Sequence, residues 1–331
     1  MAVQDGNLVV DWPDKHKSVY PSDWLWRHLH REQIDIAPPD SHNSVLWSGK
    51  TWSTPEAIPV RVDYSKLVSK DSPSVARATQ QSMIRDIYKY GFALVENVPA
   101  TLEATKEVAE TIGHLRMTIF GGDSWDYVVE SHKENLLHSD TAYTPMDIKP
   151  HTDGTYHHDP VGVQVFHCLE HQGTGGVNGL VDGWNVLTQM HSSHPDVFNF
   201  LTRTPIDFYY SDANYSFHSN SPVATLNDAG AITSFKFNNH DRNPPHPLRP
   251  DLALYHKSIQ LLERAIEDPA NSVSLKLLPG LVLLTYGWRT LHSRTPFTGR
   301  RRMAGCYVGR DDFLSKHRVM ARATNADIQL Q

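Results

Sequence analysis

Alternating apolar and polar positions run through much of this chain, and they predict many short strands with a few amphipathic helices between them. Residues 7–64 carry NLVVDW, SVYPSDWLW, VLWSGKTW and AIPVRVDY, short β-rich runs separated by turn residues, which predict a small all-β module. A polar break follows at residues 69–72. Residues 73–90 then read as a helix, with Ser72 as N-cap, Pro73 at the first helical position and Gly91 closing the end. FALVENVP predicts a buried strand, and residues 101–114 a second amphipathic helix capped by Thr101. Residues 121–137 show no period and are expected to form a loop long enough to act as a lid or binding loop.

Further along, residues 184–201 read as a helix interrupted near Pro195, residues 206–237 as strands, and residues 251–268 as an amphipathic helix. SVSLKLL and LVLLTYGW are two strands joined by Pro279-Gly280, residues 303–308 form the last strand, and the basic tail is helical. Many strands at non-local spacing with few helices predict a mainly β protein with flanking helices, built as a double-stranded β-helix or jelly roll. The expected division is an N-terminal β module at 1–68 and the jelly-roll domain at 69–331.

Composition narrows the functional classes. A net charge of −6, with RRR at residues 300–302 as the densest basic run, argues against a nucleic-acid surface. No apolar run approaches the ~18 residues that would span a bilayer, and the first residues carry acids without an apolar core, so a cytoplasmic location is expected. The two cysteines, Cys168 and Cys306, lie in apolar runs and are expected to be buried thiols.

The candidate chemistry lies in HTDGTYHHDPVGVQVFHCLEHQGTGGVNGLVD, residues 151–182. Side chains at i and i+2 of a strand point to one side, so His151 and Asp153 could grip one ion. His-x-Asp alone is weak: among 20 histidines it recurs at His138/Asp140, His157/Asp159 and His194/Asp196. A third ligand is expected at the end of a late strand, where LVLLTYGWRTLHSRT places His292. Two histidines and one carboxylate form the facial set used by non-haem iron(II) oxygenases. Nine positions after His292 lies Arg301, and a guanidinium clamps a distal carboxylate such as that of 2-oxoglutarate bidentately. Chemistry alone does not choose among Arg300, Arg301 and Arg302.

HTDGTY, VFHCLEHQGTGG, LVDGW, FNNHDR, LPGLVLLTYGWRTLHSR and FTGRRRMAGCYVGRDD, taken in order, resemble the trimethyllysine dioxygenase and γ-butyrobetaine dioxygenase family. NLVVDW, WLWRHL and VLWSGKTW extend the resemblance to that family's N-terminal β module. The resemblance, closest to trimethyllysine dioxygenase, implies an iron(II)- and 2-oxoglutarate-dependent oxygenase. It makes His151, Asp153 and His292 the iron ligands and Arg301 the co-substrate clamp. Dioxygen would be consumed, 2-oxoglutarate would yield succinate and carbon dioxide, and ascorbate would serve as a reductant.

For the substrate, the resemblance places Tyr143 and Tyr307 on two positions of an aromatic cage for a trimethylammonium group. Trp125 falls near a third position, and Phe120 stands where the family has a tyrosine. Asp140, in DTAYT, matches the trimethyllysine enzymes and suits an α-ammonium; Asn238 and Asn239 are candidates for the substrate's other polar end. Three features depart from the family. The N-terminal module has no cysteine, so no zinc site is expected and His28 and His30 face solvent. The loop between Trp125 and Asp140 is longer. Asn178 replaces a Thr/Ser after the Gly-Gly turn, near 2-oxoglutarate, where its amide can still donate.

The expected function is therefore oxidation of an unactivated C–H bond in a small cationic, amino-acid-like substrate. The partner is a small molecule, with neither nucleic acid nor membrane, and a homodimer is the expected assembly. Alternatives are a diverged relative acting on another amine, with desaturation or cyclisation in place of hydroxylation; a non-catalytic jelly-roll binding module; and a zinc hydrolase, which would have no use for Arg301.

Overall fold

The computed structural model describes residues 1–29, 38–52, 54–130 and 141–329. Two compact units are present: Met1–Pro38 with Arg318–Gln331, and Pro39–His317. The division at Pro38 falls well before the polar break at residues 69–72.

The smaller unit holds an antiparallel sheet of β1 (Ala2–Gln4), β2 (Asn7–Asp11) and β3 (Lys17–Tyr20), followed by α1 (Ser22–Leu29). Asp5-Gly6, both at positive φ, make the tight turn between β1 and β2. The helix corrects the all-β reading of this stretch. Trp24 and Trp26 mimic strand alternation, but Ser22-Asp23 after a proline is a helix start, and the Pro21 carbonyl already accepts from the Leu25 amide. His28, exposed as expected, stacks on Trp24 one turn back at 3.8 Å. His30 lies outside the described residues.

The larger unit holds a short 3-10 helix (Pro55–Ala57), β4 (Arg61–Asp63) and α2 (Tyr64–Leu67), then α3 (Pro73–Tyr90), β5 (Phe92–Glu96) and α4 (Leu102–Glu110). The ends of α3 are those that local chemistry sets: Pro73 in the first turn, and Gly91 at φ 82° accepting no Cβ penalty. Thr101 caps α4 by accepting from the Ala104 amide, but α4 stops short of His114.

Next come β6 (Trp125–Glu130), β7 (Ile148–His151), β8 (Val163–Gln172), β9 (Asn178–Asp182), α5 (Gly183–Ser193) and α6 (Pro195–Arg203). β6 overturns part of the expected loop, because WDYVVE pairs with a later strand; residues 131–137 of that loop lie outside the described residues. The hairpins β10 (Ile206–Ser211) with β11 (Ser216–Ser221) and β12 (Ala224–Leu226) with β13 (Ile232–Phe235) precede α7 (Leu252–Glu267). The chain continues through β14 (Ser272–Leu275), β15 (Val282–Tyr286), β16 (Thr290–Arg294), β17 (Arg300–Val308) and α8 (Arg310–Gln329).

Among the described residues two main sheets form, ordered β4-β5-β15-β8-β17-β6 and β14-β9-β16-β7. From β7 to β9, and again from β14 to β17, successive strands alternate between the two sheets. β14 and β15, adjacent in sequence, thus belong to different sheets. This is a mainly β jelly roll with flanking helices, as expected. β4 runs parallel to β5 within the larger sheet, and Trp47, Ile58 and Val60 lie in the core with Phe92, Leu180 and Leu283. Cys168 and Cys306 are buried free thiols. No helix among the described residues is long and apolar enough to cross a membrane.

Candidate metal centre

The smaller sheet brings the two histidines together by strand register. His151 ends β7, and its antiparallel partner on β16 is His292, with ring centroids 4.3 Å apart. Asp153 lies just beyond the end of β7, and not on the same strand face as the i, i+2 reading supposed. Thr152 locks onto Phe237 through its backbone and hydroxyl, and Gly154, at φ 67°, turns the chain. The carboxylate swings back to both rings: Oδ1 is 3.2 Å from His151 Nε2 and 3.5 Å from His292 Nε2. The candidate ligand atoms of His151, Asp153 and His292 all lie within 4.8 Å of one another, the only such group among the described residues.

Neighbouring side chains leave the ligand atoms ready. His151 Nδ1 sits 2.8 Å from the Lys149 carbonyl, which makes Nδ1 a donor and directs Nε2 inward toward Asp153. Asp153 Oδ2 accepts from Gln164 Nε2 and the Tyr307 hydroxyl, each at 2.7 Å, so Oδ1 remains for an ion. Burial alone would raise the Asp153 carboxyl, but the His151 hydrogen bond foremost, with the neighbouring imidazoles and the Tyr307 hydroxyl, holds it well below the usual carboxylate range. Burial, with His151 beside it, pushes His292 down to about 3 and keeps it neutral. Burial opposes the charged form of His151 too, but there the Asp153 hydrogen bond and charge win and raise it. A deprotonated carboxylate beside imidazole Nε2 atoms is the donor set a divalent cation needs.

Strand alternation separates the three arginines. Arg300 pairs with Glu130 at 3.0 Å and Glu170 at 3.2 Å, and Arg302 with Asp126 at 2.5 Å. Arg301, between them on β17, faces inward, is 2% exposed and has no ion pair among the described residues. Its Nη2 reaches the Asn178 amide oxygen at 3.4 Å, and its buried Nε has no hydrogen-bond partner among the described residues. Such an orphaned donor costs about 1–3 kcal/mol unless something answers it. A carboxylate-bearing co-substrate fits, and Asn178 stands beside it.

A cavity of about 90 Å³ opens from the three ligands, and Phe120, Trp125, Tyr143 and Tyr307 all line it. Asn238 lines an adjoining cleft of about 700 Å³ that also reaches His151 and Asp153. Its amide oxygen accepts from the His240 amide. Asn239 is exposed, lines neither of these two cavities and accepts from Arg242 Nε. Asp140 and His138 lie outside the described residues.

Lining residues that escaped the sequence reading include Tyr127, Gln164, Phe166, Arg294 and Met303. Tyr127 lies 5.4 Å from Trp125 and 4.6 Å from Tyr143. The i, i+2 aromatic pair in WDYVVE would have signalled it, had that stretch been read as a strand. Gln164, a lone polar residue within VGVQVF, carried a similar signal.

The family described as Taurine catabolism dioxygenase TauD, TfdA family matches residues 61–307. A trimethyllysine dioxygenase of Meyerozyma guilliermondii is 33% identical over 322 residues, covering 93% of this chain and 78% of the relative. A gamma-butyrobetaine dioxygenase of a Pseudomonas species is 26% identical, covering 96% and 79%. Among solved structures, a putative alpha-ketoglutarate-dependent taurine dioxygenase from Burkholderia xenovorans superposes with a TM-score of 0.54 at 14% identity. It covers 75% of this chain and 86% of that one, a likeness of fold.

Proposed function

Because the chain belongs to the TauD, TfdA family of iron- and 2-oxoglutarate-dependent dioxygenases, we propose that it hydroxylates an unactivated C–H bond of a small cationic amino acid, with trimethyllysine as the leading substrate. The observation that carries this reading is the convergence of His151, Asp153 and His292 beside a buried arginine whose Nε has no partner among the described residues.

In this reading His151 Nε2, His292 Nε2 and Asp153 Oδ1 hold iron(II), and Arg301 with Asn178 holds the distal carboxylate of 2-oxoglutarate. When bound there, iron(II) and 2-oxoglutarate would supply an oxidation by dioxygen whose products are succinate, carbon dioxide and a substrate carrying one new oxygen atom. Gln164 and Tyr307 fix the carboxylate's orientation, while Phe166 and Met303 keep apolar walls beside the reacting atoms. Phe120, Trp125, Tyr127, Tyr143 and Tyr307 offer aromatic faces to the trimethylammonium group, a cation–π arrangement. Asp140 is assigned to the α-ammonium and Asn238 to the other polar end. Ascorbate as reductant, a homodimer and a cytoplasmic location belong to the same proposal, as does the absence of nucleic-acid or membrane partners.

A second reading is a diverged relative acting on another amine. Phe120, which offers a π face and no hydroxyl, and the adjoining aromatic cleft with Tyr156, Tyr210 and Phe217 favour it.

Anaerobic titration of iron(II) and 2-oxoglutarate, followed by oxygen and a panel of amines, decides among these. A charge-transfer band, with succinate coupled to singly oxygenated trimethyllysine, is the expected result. Coupled turnover of another amine with trimethyllysine inert selects the diverged relative, and no band or succinate overturns both readings.

A further inference from the structure

Arg294 follows His292 by two residues on β16 and is buried at 5% exposure in the wall of the inner cavity. Its guanidinium collects carbonyls from one short segment: Nη2 donates to Thr144 O at 2.6 Å and Met146 O at 2.7 Å, and Nη1 reaches Ala142 O at 3.4 Å. The same guanidinium lies 4.9 Å from the Phe297 ring, whose backbone amide donates to the Pro145 carbonyl at 3.2 Å. Segment 141–147 carries Tyr143, which is 7% exposed and packs 4.6 Å from Tyr127. A planar fork of five donors can serve several carbonyls at once, which a lysine ammonium at the end of a flexible stem does poorly.

We propose that Arg294 is a positioning residue for substrate selection: from the strand that carries His292, it fixes segment 141–147 and so holds Tyr143 in the aromatic wall that receives the substrate's cationic head. The proposal rests on the reading that this cavity takes that head. It links two parts of the site through one side chain, so the distance from cation pocket to metal ligands is set by β16 and not by the segment itself.

Hydrogen exchange on the metal-free protein tests the positioning directly. In Arg294→Met, the amides of segment 141–147 other than the proline position should exchange about tenfold faster or more, while β8 and β17 stay protected; Arg294→Lys should fall between parent and Met. In the loaded enzyme, Arg294→Met should raise the KM for trimethyllysine about tenfold and lower the product formed per succinate, with the 2-oxoglutarate KM within about twofold of the parent. In a Tyr143→Ala background the same substitution should add less than about twofold, because its effect runs through Tyr143. Unchanged exchange at 141–147 overturns the proposal. So does a 2-oxoglutarate KM that rises with the substrate KM, or a full Arg294→Met effect when Tyr143 is absent. If the parent protein leaves trimethyllysine untouched, the substrate reading fails, and the exchange experiment still decides the role of Arg294.

Discussion

Asp153 divides its two oxygens between different tasks, and much of the candidate centre follows from that division. Oδ2 is held by Gln164 and Tyr307, while Oδ1 faces the Nε2 atoms of His151 and His292. His292→Ala removes one of three donors and is expected to abolish succinate release and iron(II) binding, with the thermal transition retained. Full turnover in that variant would sink the ligand assignment. At Arg301 the buried guanidinium is expected to hold a carboxylate through charge-assisted bonds worth about 1.5–3 kcal/mol each. Arg301→Ala should therefore raise the 2-oxoglutarate KM by about 100-fold. An unchanged KM would return attention to Arg300 and Arg302, although both are engaged by carboxylates on the opposite strand face.

At the scale of elements, a buried ion pair joins segments that are distant in sequence. Arg289, in the turn between β15 and β16, donates to Asp182 Oδ1 at 3.0 Å and Oδ2 at 2.7 Å, with both side chains fully buried. The same guanidinium reaches the carbonyls of Lys89 at the end of α3 and Val45, and lies 4.9 Å from the Trp184 ring. Asp182 in turn accepts from the amides of Trp47 and Trp184, so it also caps α5. Arg289→Met should cost about 3–5 kcal/mol in chemical denaturation, because it leaves Asp182 buried without its counter-ion. A loss under about 1 kcal/mol would show that water or a rearranged cation replaces it. Since β16 begins at Thr290, the spectroscopic signature of the metal site in that variant reports whether the pair also sets the place of His292.

For the molecule as a whole, buried histidines make acid the sensitive side. His167 is fully buried on β8, with Nδ1 2.8 Å from the Thr105 hydroxyl, and burial pushes it from 6.5 down to about 4. The unfolded chain takes up its proton near pH 6.5 and the folded chain only near pH 4. Its contribution is thus fully present above about pH 6.5 and is lost as pH falls through that window, about 3 kcal/mol in all. Denaturant midpoints measured between pH 7 and pH 4 should fall accordingly, and more shallowly in His167→Gln. A parallel decline in both proteins would assign the acid sensitivity to other groups.

The division between sequence and structure follows the range of the forces involved. Where local chemistry decides, the sequence sufficed: Pro73 and Gly91 bound α3, Thr101 caps α4, and Pro195 separates α5 from α6. The His-x-Asp motif is weak by itself, and it is the resemblance of the ordered motifs that makes His151, Asp153 and His292 the candidate ligands, donor types that an ion needs whatever path the chain takes between them. Strand pairing decided the rest. Which of three consecutive arginines turns inward depends on β17's register against β6 and β8. That β14 and β15 enter different sheets, and that WDYVVE is a strand bringing Tyr127 to the cavity, likewise depends on partners far along the chain. The same is true of Arg294, whose three carbonyl partners lie about 150 positions upstream, within segment 141–147. A one-residue change of register would turn each of these side chains to the opposite face, and only the folded sheets fix that choice.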